Sequence, residues 1–247
     1  MRKTPSRFQI QSGFTLVELL VALVIMALLA LLSWRGLDGM TRVQSQTQAH
    51  TDGVLALQAG LAQWQTDLDA ISLQANVPGV SGFMYDGNVL RLTRSYVEDG
   101  DKGDSIRVVA WSQRVSDSDN GAKNAANTSS TNQSSIATTW LRWQSAPLKT
   151  RSELQAAWLQ AATWAKEGNE SDRKREVAVA AIDKWQVLYY VNDVWVNALS
   201  SGSTAEGAAG TANVPDGIRL VLTLATGQAL VGSITRDWVR PSVGGGK

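Results

Sequence analysis

The chain has 247 residues, with 23 Lys+Arg against 22 Asp+Glu, no cysteine and one histidine, His50. That length fits one or two domains, and the balanced charge leaves no electrostatic footprint for a polyanion such as nucleic acid. The missing thiols exclude a disulfide framework and thiolate metal sites, and a single histidine removes His-rich metal sites and most Ser/His/Asp chemistry.

The chain opens on a basic stretch, residues 1–13, with Arg2, Lys3 and Arg7 and no acid. An apolar run from Phe14 to Leu32 follows, broken only by Thr15 and Glu18, before polar residues resume at Ser33, Trp34 and Arg35. At 1.5 Å per residue, about 20 helical residues cover about 30 Å of hydrocarbon, so residues 14–34 can span a membrane. Trp34 is placed to anchor the far interface, and the basic flank predicts a cytoplasmic N-terminus with an exported remainder. A secretory signal peptide is the competing reading, but Ala30-Leu31-Leu32-Ser33-Trp34 makes a poor cleavage site. Glu18 is the anomaly, because a carboxylate central in hydrocarbon costs about 2.5–3.5 kcal/mol.

The helix is expected to continue beyond the membrane over residues 35–76. Leu57, Leu61, Trp64, Leu68 and Ile71 recur at spacings of four and three, an apolar stripe for packing on a globular domain. Gln58, Gln63, Gln65, Thr66 and Asp69 form the opposite face, and Val77-Pro78-Gly79 ends the element. No proline interrupts Phe14 to Ile71, so the helix is either straight or bent at Gly36, Gly39, Gly53 or Gly60.

Residues 77–247 read as one globular domain. Gly82–Tyr85 and Val89–Ser95 form a hairpin across Asp86-Gly87, and Ser105–Val115 is a strand. Residues 116–135 and 200–213 are low-complexity loops without apolar residues large enough to offset ordering entropy. Ile136–Gln144 is a strand, Lys149–Lys166 a helix with Leu154, Ala157, Trp158 and Ala161 on its buried side, and Gly168–Lys174 a polar loop. Val177–Ala181 and Trp185–Val191 are strands, and Asn192-Asp193 turns into Val194–Ala198. Ile218–Ala225 and Gln228–Thr235 close the chain as a hairpin across Thr226-Gly227. The fold class is α+β: one long N-terminal helix, an antiparallel sheet and one short extra helix.

Candidate sites are few. "EDGDKGD" gathers Asp99, Asp101 and Asp104, but counting from Asp99 an EF-hand would need an acid at Gly103, glycine at Asp104 and glutamate at Ala110. A solvated turn fits better, and neither a metal nor a cofactor is expected. His50 reads as a solvent-facing helical residue, with a pH-sensitive contact as the sharper option. Trp64, Trp158 and Trp185 read as core; Trp111, Trp140 and Trp143 read as core or interface rather than sugar-stacking platforms. No Gly-rich phosphate loop, HExxH or GxSxG occurs, so no catalytic residue is expected.

Gly13-Phe14-Thr15-Leu16-Val17-Glu18, preceded by a basic leader and followed by an apolar helix, resembles the signal of type IV pilins and type II secretion pseudopilins. The resemblance implies cleavage between Gly13 and Phe14 by a prepilin peptidase, and N-methylation of Phe14. It also implies that Glu18 sets subunit register by meeting the Phe14 amine of a neighbour. An intrachain pairing at i, i+4 or snorkelling to the headgroups is the alternative. "SWRGLDGM", "WQVLYYVNDVWVNAL" and "GIRLVLTLATGQALVGSITRDWVRP" are similar to the J-class minor pseudopilins. That class implies a non-enzymatic subunit of the pseudopilus tip, single-pass in the inner membrane with its C-terminal domain periplasmic. Its partners would be other minor and major pseudopilins, the inner-membrane assembly platform and membrane lipid. A minor type IV pilin for pilus priming or DNA uptake, and a membrane-anchored periplasmic binding or enzymatic domain, are the alternatives.

Overall fold

The computed structural model describes residues 15–72, 77–97, 104–115, 138–200 and 214–241. Two compact units are present, residues 1–49 and 50–247. In the first, α1 (Leu16–Asp69) begins as a helix whose side chains are exposed throughout, Leu16 to Leu32 forming its apolar part. This is the one described helix long and apolar enough to cross a membrane. It runs unbroken through Gly36, Gly39, Gly53 and Gly60.

The second unit is built on an eight-stranded antiparallel sheet. Its strands are β1 (Phe83–Tyr85), β2 (Val89–Val97), β3 (Asp104–Val115), β4 (Thr138–Gln144), β5 (Glu176–Val191), β6 (Val194–Asn197), β7 (Gly217–Leu224) and β8 (Gly232–Val239). The order is β1-β2-β3-β4-β5-β7-β8, with β6 paired to β5. Alternation along the strands sends side chains to two faces. One face, carrying Leu90, Leu92, Val109, Trp111, Trp140, Leu220 and Leu222, packs with Leu57, Trp64 and Leu68 of the upper part of α1. The other, carrying Val89, Val108, Ala110, Leu141 and Trp143, packs with Leu154, Ala157, Trp158, Ala161 and Trp164 of α2 (Arg151–Glu167). The sheet is thus the middle layer between two helices, the α+β layout of pilin-like proteins.

Local chemistry explains the elements. Thr150 caps α2 by accepting from the Glu153 N–H at 3.2 Å, while Glu153 accepts from the Thr150 N–H, a reciprocal capping box. Asn192 and Asp193 both take positive φ, 50° and 63°, which a two-residue type I′ hairpin requires.

The main departures from the sequence reading have physical reasons. α1 ends at Asp69 rather than near Val77, because the sheet captures the chain: the Ser72 N–H donates to Thr93 O at 2.9 Å, and Ile71 bridges Arg94. The 168–174 stretch holds a one-turn helix, α3 (Glu170–Arg173), since Asn169 Oδ1 accepts from the Asp172 N–H at 2.8 Å. The two strands expected over 177–191 are one. β5 pairs β4 along one edge over Glu176–Ile182 and β7 along the other over Ile182–Tyr190, and the β5–β7 ladder shifts register at Asp183. The last strand spans Gly232–Val239, not Gln228–Thr235, so residues 225–231 form the connection.

Candidate functional site: the start of the helix and its junction with the sheet

Gly13 and Phe14 lie outside the described residues; Thr15 and Glu18 do not. Glu18 Oε2 accepts from the Thr15 N–H at 3.0 Å and from Thr15 Oγ1 at 2.9 Å. Thr15 Oγ1 in turn accepts from the Glu18 N–H at 3.3 Å. Thr-x-x-Glu is the capping-box pattern, so the first helical turn itself supplies donors to the carboxylate. The sequence reading weighed the Phe14 amine and the headgroups as partners and missed Thr15, although the three-residue spacing was legible.

A second acid on α1 is held by tertiary contacts. Asp67 is fully buried. Its Oδ1 accepts from Gln63 Nε2 at 2.8 Å, Arg94 Nη1 at 2.8 Å and Arg142 Nη2 at 2.9 Å. Its Oδ2 accepts from Arg142 Nε at 2.7 Å and Trp111 Nε1 at 3.0 Å. Arg94, Trp111 and Arg142 come from β2, β3 and β4. A lone buried carboxylate is costly, but one that meets a bidentate arginine and a second guanidinium is offset. Two residues further along, Asp69 Oδ1 accepts from Trp238 Nε1 of β8 at 2.7 Å. Gly60, buried on the same side, lets the helix approach β5: a Cβ there would collide with Cγ1 of Val179.

The remaining candidates sort by burial. Trp64, Trp158 and Trp185 are core, and so are Trp111, Trp140 and Trp143. Trp111 stacks on Trp140 at 4.6 Å between centroids, and Trp64 meets Trp111 edge-on at 5.4 Å, so these rings offer no face to a sugar. His50 is exposed on α1. Asp104 opens β3, whereas Asp99 and Asp101 lie outside the described residues. Among the described residues, no three His, Cys, Asp or Glu side chains gather in a way that could hold a metal.

Residues 9–34 match the family model for the prokaryotic N-terminal methylation motif. The match takes in the Gly13–Phe14 junction and the apolar start of α1. Together with the layered fold it supports a type IV pilin-like or pseudopilin protein. Proteins of this class are generally structural rather than enzymatic. The motif implies processing by a prepilin peptidase and assembly with other pilins. The apolar helix is compatible with the single-pass inner-membrane anchor typical of them. No curated protein matches the chain.

Proposed function

We propose that this protein is a J-class minor pseudopilin of a type II secretion system, built into the tip of the periplasmic pseudopilus. The observation that carries the reading is the methylation motif over residues 9–34 running into an unbroken apolar helix that bears Glu18. The three J-class-like stretches at Ser33–Met40, Trp185–Leu199 and Gly217–Pro241 support the finer class. Residues 1–13 are the cytoplasmic leader, residues 14–34 the membrane span, and the part from residue 77 the periplasmic domain. Cleavage falls between Gly13 and Phe14, and Phe14 is then N-methylated. The apolar helix stores the subunit in the bilayer and becomes packed filament core on extraction. Glu18, held by Thr15 before assembly, exchanges those donors for the amine of a neighbouring Phe14. That exchange sets subunit register. Partners are the other minor and major pseudopilins and the inner-membrane platform.

The test is substitution of Gly13, for instance Gly13→Val. Leader removal and filament entry should both stop, read by the mobility of the processed form and by recovery in sheared filaments. Secretion that persists with the leader attached would refute the assembly role. Co-purification with the small I-class and K-class pseudopilins checks the tip assignment. A gene neighbourhood of pilus genes instead of secretion genes would shift the reading to a minor type IV pilin.

A further inference from the structure

The Asp67 cluster has a feature that simple helix anchoring does not need. Apolar contact is non-directional, and the stripe Leu57, Leu61, Trp64, Leu68 repeats every three or four residues. Sliding such a stripe by one turn replaces apolar groups largely by apolar groups. The sheet therefore needs some other feature to distinguish one turn of the helix from the next. Two residues on the buried side do so. Gly60 is the point of closest approach to Val179. Asp67, seven positions on and so on the same side two turns later, meets Arg94, Trp111 and Arg142 from three neighbouring strands. A one-turn slip would put Gln63 or Ile71 into the slot of Asp67 and leave two guanidinium groups without their anion.

We propose that Asp67 is a positioning residue that sets the axial and rotational register of the upper part of α1 on the sheet, and with it the face the helix presents outward, Gln58, Ala62 and Thr66. Buried ionic groups are best attested in this use, choosing one packing among near-equal apolar alternatives. The cluster is built for it: five hydrogen bonds reach both carboxylate oxygens, and the bidentate Arg142 fixes direction as well as distance. The consequence for neighbouring subunits rests on the assembly reading above; the register itself does not.

The experiment uses the full chain in detergent. The sequence has no cysteine, so thiols introduced by Gln58→Cys on α1 and Ala156→Cys on α2, both at exposed positions, are the sole sites for spin labels. Pulsed dipolar spectroscopy then reads the distance between the two helices on opposite faces of the sheet. Two variants are compared with the parent. One is the apolar triple Asp67→Leu, Arg94→Met, Arg142→Met, which removes the charges but keeps volume. The other is the exchange Gln63→Asp, Asp67→Gln, which moves the carboxylate back by one turn. The parent should give one narrow distance. The triple variant should give a second population, and the exchange variant a distance shifted by up to one helical pitch, about 5.4 Å along the axis. The parent's single distance in both variants overturns the proposal. Unfolding of both, seen as loss of the near-UV tryptophan signal, overturns it too, because the cluster would then be needed for folding rather than for register. A Gly13 variant that still secretes would sink the assembly reading and leave the distances untouched.

Discussion

Replacing Gly60 by alanine should destabilise the globular unit, against the usual sign of a helical Gly→Ala change. In an unconstrained helix interior that substitution gains about 1 kcal/mol. Here the new Cβ would collide with Cγ1 of Val179 and stand 3.3 Å from its Cβ and Cγ2. Rotating Val179 about χ1 offers little relief, because its Cβ is itself at close range and β-branched side chains have few rotamers. Overpacking of a filled interface costs about 1–3 kcal/mol. The net effect is therefore a loss of up to about 2 kcal/mol. For a domain of this size, about 2 kcal/mol corresponds to a fall of roughly 4–8 °C in Tm. A double-mutant cycle with Val179→Ala isolates the contact, because removing the two methyl groups clears the space. In that background Gly60→Ala should turn stabilising by about 1 kcal/mol, so the coupling energy between the sites should reach up to about 3 kcal/mol, the full overpacking cost. Thermal melts of the four proteins, followed by near-UV circular dichroism of the buried tryptophans, measure it. Equal stabilisation by Gly60→Ala in both backgrounds would refute the close approach of helix and strand.

Thr150→Ala removes the side-chain acceptor of the α2 capping box and should cost about 0.5–2 kcal/mol, visible as a lower urea midpoint at unchanged slope. Tyr189 is buried in the α1-side core, and desolvation, with a smaller contribution from Tyr85, raises its phenol well above the ordinary value. A raised folded pKa contributes stability that is complete below the unfolded value, about 10, and is lost as the pH rises beyond it. Alkaline unfolding above about pH 10 should therefore be shallower in Tyr189→Phe than in the parent, and identical slopes would contradict the burial of the phenol. Glu18→Ala should leave membrane insertion intact, as judged by carbonate extraction, while lowering recovery in filaments; unchanged recovery would remove the register role of Glu18.

The elements that the sequence determined are those governed by local or periodic chemistry. An apolar run of membrane length needs no tertiary partner to be recognised, and the methylation motif lies wholly inside it and its flank. The Asn192-Asp193 turn and the alternation of Leu90, Leu92, Val109 and Trp111 were legible because turn dihedrals and strand pleat are set within a few residues. The Thr15–Glu18 box is equally local, a threonine three residues before a glutamate at the start of a helix.

Asp67 shows where local reading stops. Its place between Trp64 and Leu68 marks it as an acid on a buried side, yet nothing nearby in sequence explains it. Trp111 lies 44 residues away and Arg142 lies 75, and only the antiparallel order of β2, β3 and β4 brings them together. The same holds for β5, where Asp183-Lys184 looks like a break between two strands. It is a register shift within one continuous strand, in its ladder with β7, next to Ile182, which pairs β4 on one edge and β7 on the other. Trp238 of β8 is likewise buried, and it donates to Asp69, a residue 169 positions earlier. Local propensity fixes what a segment can be. Which buried charge finds its counter-charge, and which strand register wins, depends on loop closures whose outcome is set by the whole packed core.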